Sequence, residues 1–389
     1  MLKQWNEYVD GFKPASDALK KTWHPDDEGY RADLYRQIMM NLALSYFAYF
    51  QSDPYHPDWI PMLNSVFMLQ PNPDDTYYFC RIRSDCRYVV SGDRGTVHLL
   101  TFSVGGGMLG FAKTAGPGSS HFDNRSLHIE PDGRFEVLFS REKPAGYTGN
   151  WGKLEKRDEY IWIRQRSYDW GNEKDARFSI ECLDAPSDLK PRMTPDEIAA
   201  GLEMMQGFSE RLSGGFFDWQ NSLRERLGVN KFEFTGFSHW GGVAVQYYWQ
   251  AIFEVGPGEA LILETELPQT RPYWNVQLND PLFNAIEFIY RQSSINGHTA
   301  QVDTDGRFRA VISHEDPGVP NWLDPGGYNS GTAIGRWYDC STQPLPTMRC
   351  VPFSELRKHL PADTPHCSAA ERKQLLRARR IGGQLRRRW

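Results

Sequence analysis

Two carboxylates stand side by side in PNPDDTYY, as Asp74 and Asp75, and a second set of ionisable groups follows in SSHFDNRSLH as His121, Asp123 and His128. These residue types carry proton-transfer chemistry. Adjacent carboxylates near apolar surface have displaced pKa values and can serve as a general base or hold a hydroxyl. A His beside an Asp can be oriented for acid–base work. If the segment is extended, His121 and Asp123 share a face and His128 turns to the other. A His/Asp/His metal site is then a second reading, but the ligand spacing is not a recognisable one. The plain reading of Asn72-Pro73-Asp74 is turn chemistry.

Positive charge comes from Arg166 and Arg336, each in an Arg-x-Tyr-Asp sequence. Each can pair with the neighbouring Asp or reach into a cleft to hold an anion. Other signals point away from named chemistries. SVGGGMLG, at 103–110, leads to neither a clear helix nor a Lys-Ser/Thr pair, so it predicts close backbone approach or a lid rather than a phosphate loop. His239 and His314 are expected to be structural. No nucleophile elbow and no dinucleotide fingerprint occurs, which disfavours a serine hydrolase or a nicotinamide enzyme. The six cysteines include no Cys-x-x-Cys pair, so no zinc ribbon, metal or disulfide is expected, and no cofactor.

The elements that must position these groups are written twice. DGRFEVLFS starts at Asp132 and DGRFRAVIS at Asp305, 173 positions later. Each strand ends in Ser, continues through Glu-x-Pro and reaches Asn-Trp (Asn150-Trp151, Asn321-Trp322). Arg-x-Tyr-Asp follows in both copies, and a Tyr-Tyr strand precedes both (Tyr77-Tyr78, Tyr247-Tyr248). Ordered landmarks at similar spacing indicate internal duplication. Asp-Gly makes a tight turn, and Phe135, Val137 and Phe139 then fall on one face, as do Phe308, Ala310 and Ile312. The fold class is therefore mainly β with accessory α: two duplicated antiparallel β-sandwiches with flanking helices.

Helical spacing marks Tyr30 to Phe50. A capping box at Thr194 to Glu197 starts a helix expected to run to Ser213, break at Gly214-Gly215 and resume from Phe217 to Leu227. The expected division is a helical segment at 1–58, a first sandwich at 59–186, a helical linker at 187–230, a second sandwich at 231–350 and a basic tail at 351–389.

The net charge of −5 is uneven, because the last twenty residues carry +7 and leave −12 on the rest. An acidic body argues against nucleic acid as a partner. The tail reads as a solvated helix that the fold does not need. No stretch has the length and apolarity of a signal peptide or a membrane span, so a soluble cytoplasmic protein is expected. Self-association into a homo-oligomer is left open.

The second half resembles a bacterial family known only as a domain of unknown function, number twelve-fourteen in its series. RPYWNVQLND (271–280), SSING (293–297), DGRF, PNWLDPGG (320–327) and RWY (336–338) carry the likeness. PNPDDTYY is similar, with one extra Asp, to an element of the domain that often precedes that family. The resemblance implies a jelly-roll-like C-terminal sandwich and no established reaction.

Duplication also works as a filter. Residues present in both halves serve the fold, and unmatched polar residues are site candidates. Aligning the Tyr-Tyr pairs sets Val245 opposite Asp75, so the fold alone does not demand that carboxylate. The expected catalytic set is Asp75, His121, Asp123 and Arg336, with Asp74, Tyr77, Arg271, Tyr273, Trp274 and Tyr338 binding substrate. The function expected is a cofactor-independent lyase, isomerase or hydrolase acting on a hydroxylated small molecule with an apolar face, such as a sugar, terpenoid, sterol or aromatic. The alternative is a non-catalytic binding protein for such ligands.

Overall fold

The computed structural model describes residues 2–21, 27–63, 69–108, 110–112, 116–236 and 245–386. His239 lies outside the described residues. The first half contains β1 (Ile60–Pro61), β2 (Asp75–Arg81), β3 (Tyr88–Asp93), β4 (Leu99–Gly105), β5 (Gly118–Asp123), β6 (Arg134–Ser140), β7 (Asn150–Lys153), β8 (Tyr160–Arg166) and β9 (Arg177–Cys182). The second contains β10 (Glu233–Thr235), β11 (Gln246–Glu254), β12 (Glu259–Glu266), β13 (Tyr273–Asn279), β14 (Ser294–Asn296), β15 (Arg307–Ile312), β16 (Trp322–Leu323), β17 (Ser330–Tyr338) and β18 (Thr347–Pro352).

The first half forms a five-stranded sheet, β1-β2-β8-β4-β5, and a four-stranded sheet, β7-β6-β3-β9. The second forms β10-β11-β17-β13-β14 and β16-β15-β12-β18, which is the same order with nine added to every strand. Pairing is antiparallel except for β6 with β7 and β15 with β16, which run parallel. Each half therefore departs from a purely antiparallel sandwich at one edge.

The repeated motif is a mechanical device. Gly133 and Gly306 take φ of 91° and 79°, which a side chain would resist. Asp132 and Asp305 accept from the backbone N–H two residues on. The amide of Asn150 donates to the carbonyls of His128 and Glu136, and Asn321 donates to those of Gln301 and Arg309. Each Asn thus ties its own edge strand to the neighbouring segments. Trp151 bonds Ser140 and Trp322 bonds Ser313, so both indoles are fold anchors.

Inward residues alternate along the strands, as a half-buried pleat requires. Leu100, Phe102, Val104, Val137, Phe139 and Ile161 fill the first core. Trp249, Trp274, Trp337, Phe253, Leu261 and Phe308 are among those filling the second. Each fully buried large side chain contributes about 1.5–3 kcal/mol.

Helix α1 (Trp5–Phe12) and α2 (Glu28–Tyr46) precede the first sandwich, and α2 ends in a π turn at Phe47–Gln51. Between the halves, α3 (Pro195–Gln206) starts on the Thr194–Glu197 capping box. A π turn at Glu210–Gly214 then leads without a break into α4 (Gly215–Leu227). The glycine pair does not interrupt the helix, because Gly214 and Gly215 both keep right-handed helical angles. The interruption comes earlier, at Gly207.

The largest departure from expectation is the tail. Residues 369–385 form α5 (Ala369–Leu385), capped by Ser368 and Glu371 and packed into the molecule. Gly382 and Gly383 are buried, and a Cβ on Gly382 would stand 3.0 Å from backbone atoms of Trp170 and Gly171. Three arginines are inserted among acceptors. Arg372 reaches Asp316, Gln292 and the Val319 carbonyl. Arg379 reaches the Phe288 and Ser294 carbonyls. Arg386 donates to the carbonyls of Pro73 and Asp74, both at 2.6 Å. The glycines permit the close approach, and one face of the charge run is bonded while Lys373, Arg377 and Arg380 stay exposed.

Replacing Gly382 with Leu should therefore lower stability by about 1–3 kcal/mol, because backbone rather than a movable side chain blocks the added atoms. Urea unfolding of the variant against the parent measures this, and a chain ending before Ala369 should unfold at lower urea still.

Candidate functional site

Part of the outward face of each five-stranded sheet is polar, yet buried. On β2 and β8, Tyr78, Cys80, Ile161 and Ile163 point into the first core, which turns Asp75, Tyr77, Arg164 and Arg166 outward. On β13 and β17, Trp274, Val276 and Trp337 point into the second core, which turns Tyr273, Asn275, Gln277, Arg336 and Tyr338 outward. All nine outward residues named here are at most 9% exposed. They are covered because the halves bury these faces in a common seam.

Arg166 lies at its centre. Its guanidinium makes a bidentate pair with Asp75 across the strands, at 2.6 and 2.8 Å. The same group lies 4.1 Å from the ring centre of Tyr273 and 5.1 Å from that of Tyr338, both in the other half. Asp74, next to Asp75, accepts from the Tyr273 hydroxyl at 2.6 Å and from the Trp170 and Asn296 side chains at 2.8 Å each. Burial holds the Asp74 carboxyl above the ordinary range in spite of these three donors. The Tyr273 hydroxyl is likewise pushed well up by burial and by Asp74.

Arg336, the duplicate of Arg166, is held by neutral acceptors instead. It donates to Gln277 at 2.6 Å and to the Gln70 carbonyl at 3.0 Å, and among the described residues it has no carboxylate partner. Its cross-strand neighbour is Tyr248, where Arg166 has Asp75. Tyr248, not Val245, is therefore the counterpart of Asp75, at the same 173-residue offset as the DGRF motif. The Tyr-Tyr pairs are offset by three positions from true equivalence.

Asp123 and His121 share the outward face of β5, but Asp123 does not orient the imidazole. Asp123 is held by Arg125 at 2.7 Å and by the Tyr338 hydroxyl at 2.8 Å. Burial raises its carboxyl, and these donors outweigh that and leave it low. His121 Nδ1 meets Ser103 Oγ at 3.1 Å, which also accepts from Arg164, and Nε2 is buried without a partner. Burial, reinforced by Arg164, lowers this His to about 4. The remaining expected residues divide. Tyr77 accepts from the Asn72 backbone within the seam. Trp274 belongs to the second core, 4.8 Å from Phe308, so it presents no ring to a ligand. Arg271 is exposed and braces the Pro268 carbonyl of its own loop. His314 reaches the Val255 carbonyl.

The seam exchanges contacts as a two-fold interface does. Asp339 of the second half pairs with Arg125 of the first at 2.8 Å. Asp169, the duplicate of Asp339, pairs with His298 of the second half at 3.6 Å. His298 is offset from Arg125 by the same 173 residues, and Asn296 from Asp123. One end of the seam is thus closed by carboxylate–arginine pairs. At the other end, His replaces Arg and Asn replaces Asp, and a cavity of about 320 Å³ opens. Asp74, Tyr168, Trp170, Asn296, His298 and Arg379 line it, so both halves and α5 contribute. The Tyr168 ring lies tilted against its neighbours in the seam, 5.2 Å from Tyr273 and 6.4 Å from His298.

Asp169 and His298 were not among the expected site residues. His298 is an unmatched polar residue of the second half, and the duplication filter applied there would have found it. Among the described residues no group of three or more His, Cys, Asp or Glu could hold a metal ion. The cysteines are free, and no described helix is long and apolar enough to cross a membrane.

Asp75→Asn should cost about 3–5 kcal/mol in denaturant unfolding, because it leaves the buried Arg166 charge without its carboxylate. His121 supplies a pH test. Its folded-state value, about 4, lies below the ordinary 6.5, so the folded protein holds it neutral. The stability this contributes is present above about 6.5 and is lost as pH falls towards 4. His121→Gln should flatten the decline of stability over that window, measured by urea unfolding at stepped pH.

A solved structure shares this architecture. A crystal structure of an uncharacterised protein from Burkholderia cenocepacia superposes with a TM-score of 0.84 at 27% identity, covering 90% of this chain and 97% of that one. A Vibrio parahaemolyticus protein aligns at 12% identity and a TM-score of 0.47, over 87% of this chain and 100% of that one. No curated protein matches the chain. Residues 260–342, the body of the second sandwich, match the family described as a protein of unknown function, DUF1214, the family that the C-terminal motifs resemble.

Proposed function

We propose that the protein is a cofactor-independent enzyme, a lyase, isomerase or hydrolase, acting on a hydroxylated small molecule with an apolar face. The observation that carries this reading is the broken symmetry of the seam, which leaves the Asp169–His298 pair beside a cavity of about 320 Å³. That volume lies in the range of small-molecule sites. Trp170 and Tyr168 supply flat walls, and Asn296 and Asp74 supply hydrogen-bonding groups for hydroxyls. Asp169 stands 3.6 Å from His298 Nε2, and His298 takes or delivers the proton. Arg379 supplies positive charge beside a developing anion. Proton transfer falls to His298 rather than to Asp75 or Asp123, because both carboxylates are engaged by arginines.

The binding-protein reading draws on one specific feature. The Asp74 carboxylate at the cavity wall already accepts three hydrogen bonds, so it suits recognition better than proton transfer.

A thermal-shift screen of sugars, terpenoids, sterols and hydroxylated aromatics should identify a ligand, followed by turnover assays on it. His298→Ala should lower kcat by about 10²-fold or more with ligand affinity largely retained. Full activity in that variant would overturn the catalytic assignment. A ligand bound without turnover, and lost in Tyr168→Ala, would favour the binding protein.

A further inference from the structure

Helix α2 carries polar side chains inward and apolar ones outward. Its buried side holds Gln37, Asn41 and Ser45 beside Leu34 and Leu44. Gln37 and Asn41 donate to the Ser213 hydroxyl at 3.0 and 2.9 Å, and the Ser45 hydroxyl donates to the Leu42 carbonyl. The outer side presents Tyr35 at 57%, Met39 at 63% and Tyr46 at 48% exposure, with Leu42 half-buried between them. A single exposed apolar side chain is ordinary on a protein surface. A helix that is apolar on both sides is one that is covered on both. Arg36 is the only charged residue from Tyr35 to Tyr46, so the outer face suits an apolar partner.

The spacing points to which partner that is. Tyr35, Met39, Leu42 and Tyr46 are separated by four, three and four residues. That is heptad spacing, which sets side chains in one line for a facing helix. The four lie within about 60° of one another around the helix and span about 17 Å along it. The series also reads alike from either end, as an aromatic, two aliphatics and an aromatic. An antiparallel copy of the same helix therefore fits it. A two-fold axis between positions 39 and 42 sets Tyr35 against Tyr46 of the second copy, and Met39 against its Leu42. One end of the face is preformed, because the Tyr46 ring stacks on Phe50 at 5.6 Å and its hydroxyl accepts from Gln51 at 3.0 Å.

We propose that α2 is the two-fold interface of a homodimer, pairing antiparallel with α2 of a second copy of this chain. No residue of α2 lines the cavity of about 320 Å³, so this surface is separate from the reaction proposed there.

Sedimentation velocity of the full chain should show twice the monomer mass at about 100 µM. Met39→Glu places a charge beside the axis and should weaken association about tenfold or more, with circular dichroism unchanged. Tyr35→Glu and Tyr46→Lys should each weaken it as well. Combined in one chain they should restore it, because each Glu then meets a Lys across the axis. Within one helix the two stand about 17 Å apart and cannot pair. A monomer at about 100 µM would overturn the proposal, and co-sedimentation of that monomer with phosphatidylcholine vesicles would assign the face to a bilayer instead. A dimer left intact by both Met39→Glu and Tyr35→Glu would overturn it too. A double variant no tighter than the single ones would rule out the antiparallel pairing.

Discussion

Arg166, only 2% exposed, meets its counter-charge inside the fold. Its bidentate bond to Asp75 links the two central strands of the first large sheet. Its remaining face lies over Tyr273 and Tyr338 of the second half. One buried charge thus fixes the register within a sheet and the position of the other half on it. Charge pairs in low dielectric gain little net stability over apolar packing, but they penalise misalignment strongly. That penalty places Asp74, Tyr168 and Trp170 against Tyr273 and Asn296, and so shapes the cavity beside them.

Duplication explains why the seam has two unlike ends. Identical halves meeting about a two-fold axis would present the same contacts twice. Unlike residues at two positions, Arg125 against His298 and Asp123 against Asn296, leave one end closed by arginine–carboxylate pairs and the other with a histidine beside a carboxylate. The pocket is completed by the helix that follows the second sandwich. Helix α5 brings Arg379 and Leu375 to its wall, and Arg386 clasps the backbone under Asp74. The catalytic reading therefore depends on all three parts of the chain.

Much of the fold was legible in the sequence, because tight turns and alternating strands leave local signatures. The DGRF turn and the Thr194 capping box each act within a few residues, and the Asn-Trp clamp, which bonds more distant segments, is visible because it is written twice. The tail was misread for a physical reason. Gly-Gly and a run of arginines look like poor core material until a carbonyl-rich groove is there to receive them, and that groove is assembled from residues 73, 74, 288 and 294. The site was legible in part. Asp74, Asp75, Tyr273 and Tyr338 all lie in the seam, whereas Trp274 faces the core because it stands one residue from Tyr273 on the opposite face of β13. The Asp169–His298 pair joins positions 129 residues apart, and no local pattern announces such a contact.

The buried polar seam locks the two halves together. A double-mutant cycle between Asp74 and Tyr273, using Asp74→Asn, Tyr273→Phe and the combined variant in urea unfolding, measures that lock directly. Their hydrogen bond is 2.6 Å long and joins the halves. A coupling energy of about 1 kcal/mol or more is predicted. Additivity within about 0.3 kcal/mol would show that the two residues do not act together, and the seam would then not be what holds the halves and the cavity in place.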